Sequence, residues 1–238
     1  MAYTKVKSSI LIWAVSLLGL YSCGLKGKSY KKIFYYNEQT GIASLDPAFA
    51  KNQSIMWAVH QLYNTLVEID DSLHIIPSVA SSWELSPDRL TYTFHLRNDI
   101  FFHDDPVFPF GKGRKLVASD VVYSLSRIMD RTTASPGSCI FNRKVDTLQP
   151  FRAINDSIFE LKLIRPYQPI LGILSMQYCS IVPKEAVEKY GIEFRRHPVG
   201  TGPYQMVAWQ EGQALVLKKN DNYFEKDING NPLPYLDG

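Results

Sequence analysis

The run Ser82 to Asp104, SWELSPDRLTYTFHLRNDIFFHD, restricts this chain more than any other stretch. Within it Leu90, Tyr92, Phe94 and Leu96 alternate with Thr91, Thr93, His95 and Arg97, the period-two pattern of a strand with one buried face. Ser86-Pro87-Asp88-Arg89 joins a proline that presets φ to an aspartate that can bond its own backbone, so a turn feeds the strand. Asn98-Asp99 closes it, and Ile100 to Phe102 resumes an apolar run towards His103-Asp104-Asp105, which reads as a hairpin.

The succession SWE, S-P-D, YTFHLR, FHDD and then Leu116 to Arg127 (LVASDVVYSLSR) resembles the signature of the family 5 solute-binding proteins of ABC importers, the peptide and nickel binders. A pattern with several fixed positions from Ser82 to Arg127 is far more specific than a short motif. Asp105 departs from it, standing where the family usually has Gly, and Pro106 to Lys115 reads as an inserted loop before the helix. The resemblance implies a mixed α/β (α+β) fold like the type II periplasmic binding proteins. This chain would supply the first lobe with an inserted smaller subdomain, and the second lobe would be missing.

The first residues call for separate treatment. Lys5 and Lys7 precede an apolar run, Ile10 to Leu20, which ends in Leu20-Tyr21-Ser22-Cys23, the layout of a secretory signal. The run falls well short of the ~20 residues that a bilayer core requires. Ser22-Cys23 resembles a bacterial lipobox, in which the cysteine is lipidated and becomes the mature N-terminus, although Tyr21 is bulky for that position. An ordinary signal peptide with an incidental cysteine is the alternative. Net charge is +3 with acids and bases interspersed, which argues against nucleic acid as a partner. Cys139 and Cys179 form no C-x-x-C motif, and nothing in their spacing pairs them, so two separate buried thiols are expected.

Along the chain, Gly24 to Lys32 has the polar, basic composition of a tether, and Ile33 to Tyr36 reads as a strand. Leu45-Asp46-Pro47 resembles the family's first turn. Asn52 or Ser54 caps a predicted helix with Ile55, Met56, Val59, Leu62, Tyr63 and Leu66 at helical spacing. Asp70-Asp71 marks a turn, and Val79 to Trp83 a short helix or turn. Ser119 is the expected cap of a helix whose apolar face is Val121, Val122, Leu125, Ile128 and Met129, with Arg127 near its C-terminus. Ser157 to Ile164, Gln205 to Trp209 and Ala214 to Lys219 read as strands, and Ile170 to Met176 and the stretch from Pro183 to Gly191 as helices.

Catalytic motifs are missing: there is no G-x-S-x-G, H-E-x-x-H, P-loop or G-x-G-x-x-G. Gly111 to Lys115 is Gly-rich and basic but lacks the context of a phosphate loop, so it reads as a solvated surface loop. Gly200-Thr201-Gly202 reads as a turn of permissive backbones. His103 and Asp104 are adjacent on an extended segment and point to opposite faces, so no metal site is expected there. No catalytic residue and no cofactor are assigned.

The resemblance places ligand contacts in loops turned towards a cleft: Ala50, Lys51, Asn52 and Gln53 after Leu45-Asp46-Pro47; Ser135, Gly137 and Ser138 in a second loop; Thr201, Gly202 and Tyr204 at the crossover. For each, an ordinary loop or cap is the competing reading. The implied organisation is a signal peptide over 1–22, a lipid-anchored tether over 23–32, large-lobe segments over 33–66 and 183–238, and the inserted subdomain over 67–182. The implied protein is a monomeric, extracytoplasmic lipoprotein, anchored through Cys23, that captures peptides or other small solutes between two lobes and delivers them to an ABC permease without catalysing a reaction. A structural or interaction lipoprotein that captures no solute is the rival, and a hydrolase is a more distant one.

Overall fold

The computed structural model of this protein describes residues 31–238, so the expected signal segment, Cys23 and the tether as far as residue 30 lie outside the described residues. Ile33 to Tyr36 forms no sheet strand. It is held by backbone bonds near the far end of the chain, from the Phe34 N–H to the Gly238 carbonyl and from the Asp237 N–H to the Lys32 carbonyl, both 2.8 Å, and by the Tyr36 ring edge-on to Trp57 with centroids 5.5 Å apart. The expectation fails because these apolar side chains stay largely exposed, with no sheet to cover them; Tyr35 is 85% exposed.

Asp46 sets the first turn of the body. Its Oδ1 accepts the Ala48 N–H at 3.0 Å and caps a single 3-10 turn, Pro47–Phe49. Helix α1, Gln53–Leu62, begins at Asn52, whose side chain accepts the Ile55 N–H at 3.1 Å as the sequence predicts. Ile55, Val59 and Leu62 form its buried stripe, and extended backbone at Tyr63 ends it. Strands β1 (Val67–Ile69) and β2 (Ile75–Pro77) form an antiparallel hairpin, closed by Asp70 accepting the Ser72 and His74 N–H groups.

The predicted central strand is β4 (Thr91–Leu96), an interior strand of a four-stranded antiparallel sheet. β3 (Ala80–Leu85) flanks it on one side, and β6 (Ile158–Lys162) followed by β5 (Phe151–Asn155) on the other. Tyr92, Phe94 and Leu96 are buried while Thr91, Thr93 and His95 are half-buried, the alternation read from the sequence. Phe94 packs against Phe159 of β6 with ring centroids 5.8 Å apart. Helix α2 (Ala118–Met129) covers β5 and β6 with Val121, Leu125 and Ile128.

Two expectations here are corrected. Val79 to Trp83 is not a helix or turn: Ala80 to Leu85 is the edge strand β3, recruited by pairing with β4 and not by its own weak pattern. The hairpin therefore lies upstream of β4, through a turn in which Arg89 takes φ 59°. Ile100 to Phe102 leaves the sheet and pairs with the far end of the inserted loop, the Phe102 N–H donating to the Arg114 carbonyl and the Leu116 N–H to the Ile100 carbonyl, both at 3.0 Å.

That loop is anchored and not solvated throughout. The Arg114 guanidinium makes paired bonds to Asp120 at 2.7 and 2.6 Å and to Glu185 at 2.6 and 2.8 Å, and lies over the Phe102 ring. Beside it the Glu185 carboxyl is held below its usual range. Asp120 also reaches back to the Val117 N–H at 3.0 Å, so Val117, and not Ser119, occupies the cap position of α2.

Helices α3 (Ile170–Leu174) and α4 (Lys184–Tyr190) come next, α4 stopping at Gly191 with φ 52°, and β7 (Tyr204–Gln210) pairs antiparallel with β8 (Ala214–Lys219). Cys139 and Cys179 are free thiols as read, but Cys139 is exposed because its 3-10 turn, Pro136–Phe141, buries Gly137 and Phe141 instead.

Candidate ligand-binding site

At the N-terminal end of α1, two loops that are distant in sequence are joined. The Asp46 carboxylate that caps the Pro47–Phe49 turn also takes the Arg127 guanidinium of α2, at 2.8 and 2.5 Å. The pair is buried, with side-chain exposures of 12% for Arg127 and 5% for Asp46, and Arg127 lies over the Phe194 ring. Ser135 Oγ then donates to the Ala48 carbonyl at 2.6 Å and accepts the Gly137 N–H at 3.1 Å. Ala50 is fully buried, and Ser135 and Gly137 are buried framework. Asn52 is engaged as the helix cap. Lys51, Gln53 and Ser138 present exposed side chains at the junction.

Sequence reasoning misses Arg127 as a partner of this loop, because its place in the last turn of a helix already explains it. The signal is an arginine on the flank of an apolar stripe, but nothing in the spacing ties it to Asp46. Gly137 has its own reason to be glycine: a Cβ there would lie 2.6 Å from Cδ1 of Tyr178.

Thr201 and Gly202 sit at the other end of α1. Thr201 Oγ1 donates to Asn64 Oδ1 at 3.0 Å, and the Gly202 N–H donates to the Leu62 carbonyl at 3.0 Å. The Gly202 carbonyl accepts from Asn220 Nδ2 at 3.0 Å and from His103 Nε2 at 2.9 Å. A Cβ on Gly200 would lie 2.0 Å from the Leu62 carbonyl oxygen, and one on Gly202 would lie 2.4 Å from the Leu62 carbonyl carbon. Neither glycine has positive φ, so close approach explains them and permissive backbone does not. Helix α1 rises ~15 Å over its length, which separates these residues from Asn52. Tyr204 is half-buried on β7.

His103 is buried, its Nδ1 has no partner among the described residues, and burial pulls its pKa down to about 4. It is therefore a neutral imidazole that donates through Nε2 to the Gly202 carbonyl. Among the described residues no group of three or more His, Cys, Asp or Glu converges as a metal site would require. A cavity of about 490 Å³ opens between α2 and α4, lined by Tyr123, Arg127, Asp130 and Glu188 among others, and none of the expected contact residues borders it.

The model of the bacterial extracellular solute-binding proteins, family 5 Middle, matches residues 74–238. The chain is 34% identical over 176 residues to the dipeptide-binding protein of Escherichia coli (strain K12), covering 68% of this chain and 32% of that protein. It is 32% identical over 178 residues to heme-binding protein A of Haemophilus influenzae, covering 69% of this chain and 32% of the other. Among solved structures it resembles the ABC transporter-associated periplasmic binding protein DppA from Helicobacter pylori in complex with the peptide STSA. That match has a TM-score of 0.70 and 30% identity, and covers 82% of this chain and 39% of the other. The chain thus spans about a third of the length of the curated relatives named here.

Proposed function

This chain belongs to the family 5 bacterial extracellular solute-binding proteins, and from that membership we propose that it is a peptide-capturing lobe serving an ABC importer. Its fold is that of part of a type II periplasmic binding protein. In the proposed mechanism a solute lies between two lobes, hinge closure buries it, and the closed form is presented to the permease. On this reading Cys23 holds the protein to an extracytoplasmic membrane face, and the protein performs no chemistry on its cargo.

One observation carries the proposal: the Pro47–Phe49 turn and the Ser135–Cys139 loop are fastened together by Asp46–Arg127 and Ser135–Ala48, while Lys51, Gln53 and Ser138 are left exposed beside them. Such a rim offers backbone and polar side-chain groups beside a firm framework, which suits extended peptides of varied side chains. The two ends of the expected inserted segment meet just past α1, as an insertion requires. The chain leaves α1 at Asn64 and returns at Ile181, whose N–H donates to the Asn64 carbonyl at 3.0 Å.

A single lobe covers only one side of a ligand, whereas complete sites typically enclose about 70–90% of it. We therefore expect affinity in the millimolar range, about −4 kcal/mol. Titration of the isotopically labelled chain with mixed di- and tripeptides, followed by NMR, should move backbone signals of residues 48–53 and 135–139. Silence at those residues at ~10 mM peptide, well above the expected dissociation constant, would refute the reading, and peptides cleaved in the same tube would replace it with a hydrolase.

A further inference from the structure

We propose that Tyr178 is the aromatic contact of this site, a residue that determines which peptide side chains the lobe accepts; the inference rests on the function proposed above. The ring belongs to the 3-10 turn Gln177–Cys179, which lies against the Pro47–Phe49 turn and against both α1 and α2. It is seated on the backbone of Gly137, where an added Cβ would lie 2.6 Å from Cδ1, 2.8 Å from Cγ and 3.0 Å from Cε1. Any other residue at 137 would drive the ring away. Glycine and tyrosine therefore act as one unit, the first leaving the room the ring occupies and the second supplying the aromatic surface.

The turn carrying the ring is itself braced. Gln177 Nε2 meets His60 Nδ1 of α1 at 3.1 Å, the Cys179 N–H donates to the Met176 carbonyl at 2.8 Å, and the Cys179 side chain is buried. Tyr178 is only half-buried, and among the described residues its hydroxyl makes no hydrogen bond. A half-buried ring on a braced turn, with a free hydroxyl, loses little conformational freedom on binding. It can meet an apolar side chain with its ring and a peptide group with its hydroxyl. Lys51, Gln53 and Ser138 offer charge and hydrogen bonds but no such surface, so discrimination among side chains falls to Tyr178.

The test titrates the full chain by NMR with Ala-Ala, Ala-Phe and Ala-Phe-Ala, comparing the unaltered protein with Tyr178→Leu and Tyr178→Phe. We expect the unaltered chain to prefer the Phe-containing peptides. Tyr178→Leu should weaken their binding on the order of tenfold and abolish the preference, and Tyr178→Phe should weaken all three peptides by about threefold, in line with one lost hydrogen bond. Should Tyr178→Leu not fold, 3-fluorotyrosine placed at 178 reports instead, and its ¹⁹F signal should move with Ala-Phe-Ala. Shifts at Lys51 and Ser138 with a stationary 178 probe, or binding within twofold in both variants, would overturn the role of Tyr178 and leave the peptide reading standing. No shift anywhere in the unaltered chain would overturn the reading and this inference with it.

Discussion

The two ends of α1 are built from similar parts, a short turn and a glycine-bearing loop drawn against the helix, yet they are finished differently. At the C-terminal end both backbone groups of Gly202 are occupied, its carbonyl by His103 and Asn220 and its N–H by the Leu62 carbonyl, and Asn64 is taken by Thr201. At the N-terminal end the framework is equally firm, through Asp46 and Arg127, but Lys51, Gln53, Ser138 and the Tyr178 hydroxyl are left over. A joint consumes its hydrogen-bonding capacity, whereas a binding surface keeps some in reserve for a partner. That contrast separates the two groups of expected contact residues, and it can be strained from either side.

The largest effect should come from the ion pair. Arg127→Met leaves Asp46 buried without its partner, and losses of this kind cost about 3–5 kcal/mol. Urea unfolding should show a destabilisation of that size, and the Ser135 loop should loosen with it. The double variant Arg127→Met with Asp46→Leu should recover much of the loss, since replacing a buried pair by apolar groups is often near neutral. A loss below about 1 kcal/mol in the single variant would mean that the pair is as dispensable as an exposed one, and the two loops would need another fastening.

Next comes the joint, through pH. The imidazole of His103 is held neutral by burial, with its pKa at about 4 against an ordinary 6.5, opposed by its bond to Gly202 and flanked by Lys218 and Asp104. Because the unfolded chain takes up this proton first, stability is fully present above pH ~6.5 and is lost as pH falls towards 4, by about 3 kcal/mol in all. His103→Gln keeps an N–H for the Gly202 carbonyl and removes the titration. Its urea-derived stability should decline less between pH 7 and 4 than that of the unaltered chain; equal slopes would show that the crossover admits the charged ring. Carboxylates titrate alike in both proteins and drop out of the difference.

How much of this is legible in the sequence depends on the range of each interaction. Local patterns carry α1 with its Asn52 cap, the β4 alternation, and the β7–β8 hairpin, because each is decided by residues a few positions apart. The failures are long-range. β3 is a strand because β4 lies beside it, Arg114 is anchored because Glu185 arrives from α4, and Arg127 is a partner of Asp46 only once α2 meets the loop that leads into α1. The expected contact loops rest on resemblance, and no local signal foretells that Gly137 is glycine on account of the Tyr178 ring.

The smallest effect is the most discriminating for the site. Lys51 and Ser138 are exposed, and among the described residues Lys51 makes no ion pair. Replacing an exposed side chain that touches nothing usually changes stability by less than about 0.5 kcal/mol. Lys51→Ala and Ser138→Ala should therefore melt with the unaltered chain, and the peptide titration should weaken in Lys51→Ala if its ammonium meets a ligand carboxylate, with the difference shrinking as salt is added. A clear loss of stability in either variant would place these residues with Thr201 and Gly202, as parts of a joint. The difference between the two ends of α1 would then vanish, because the rim would hold nothing in reserve for a solute.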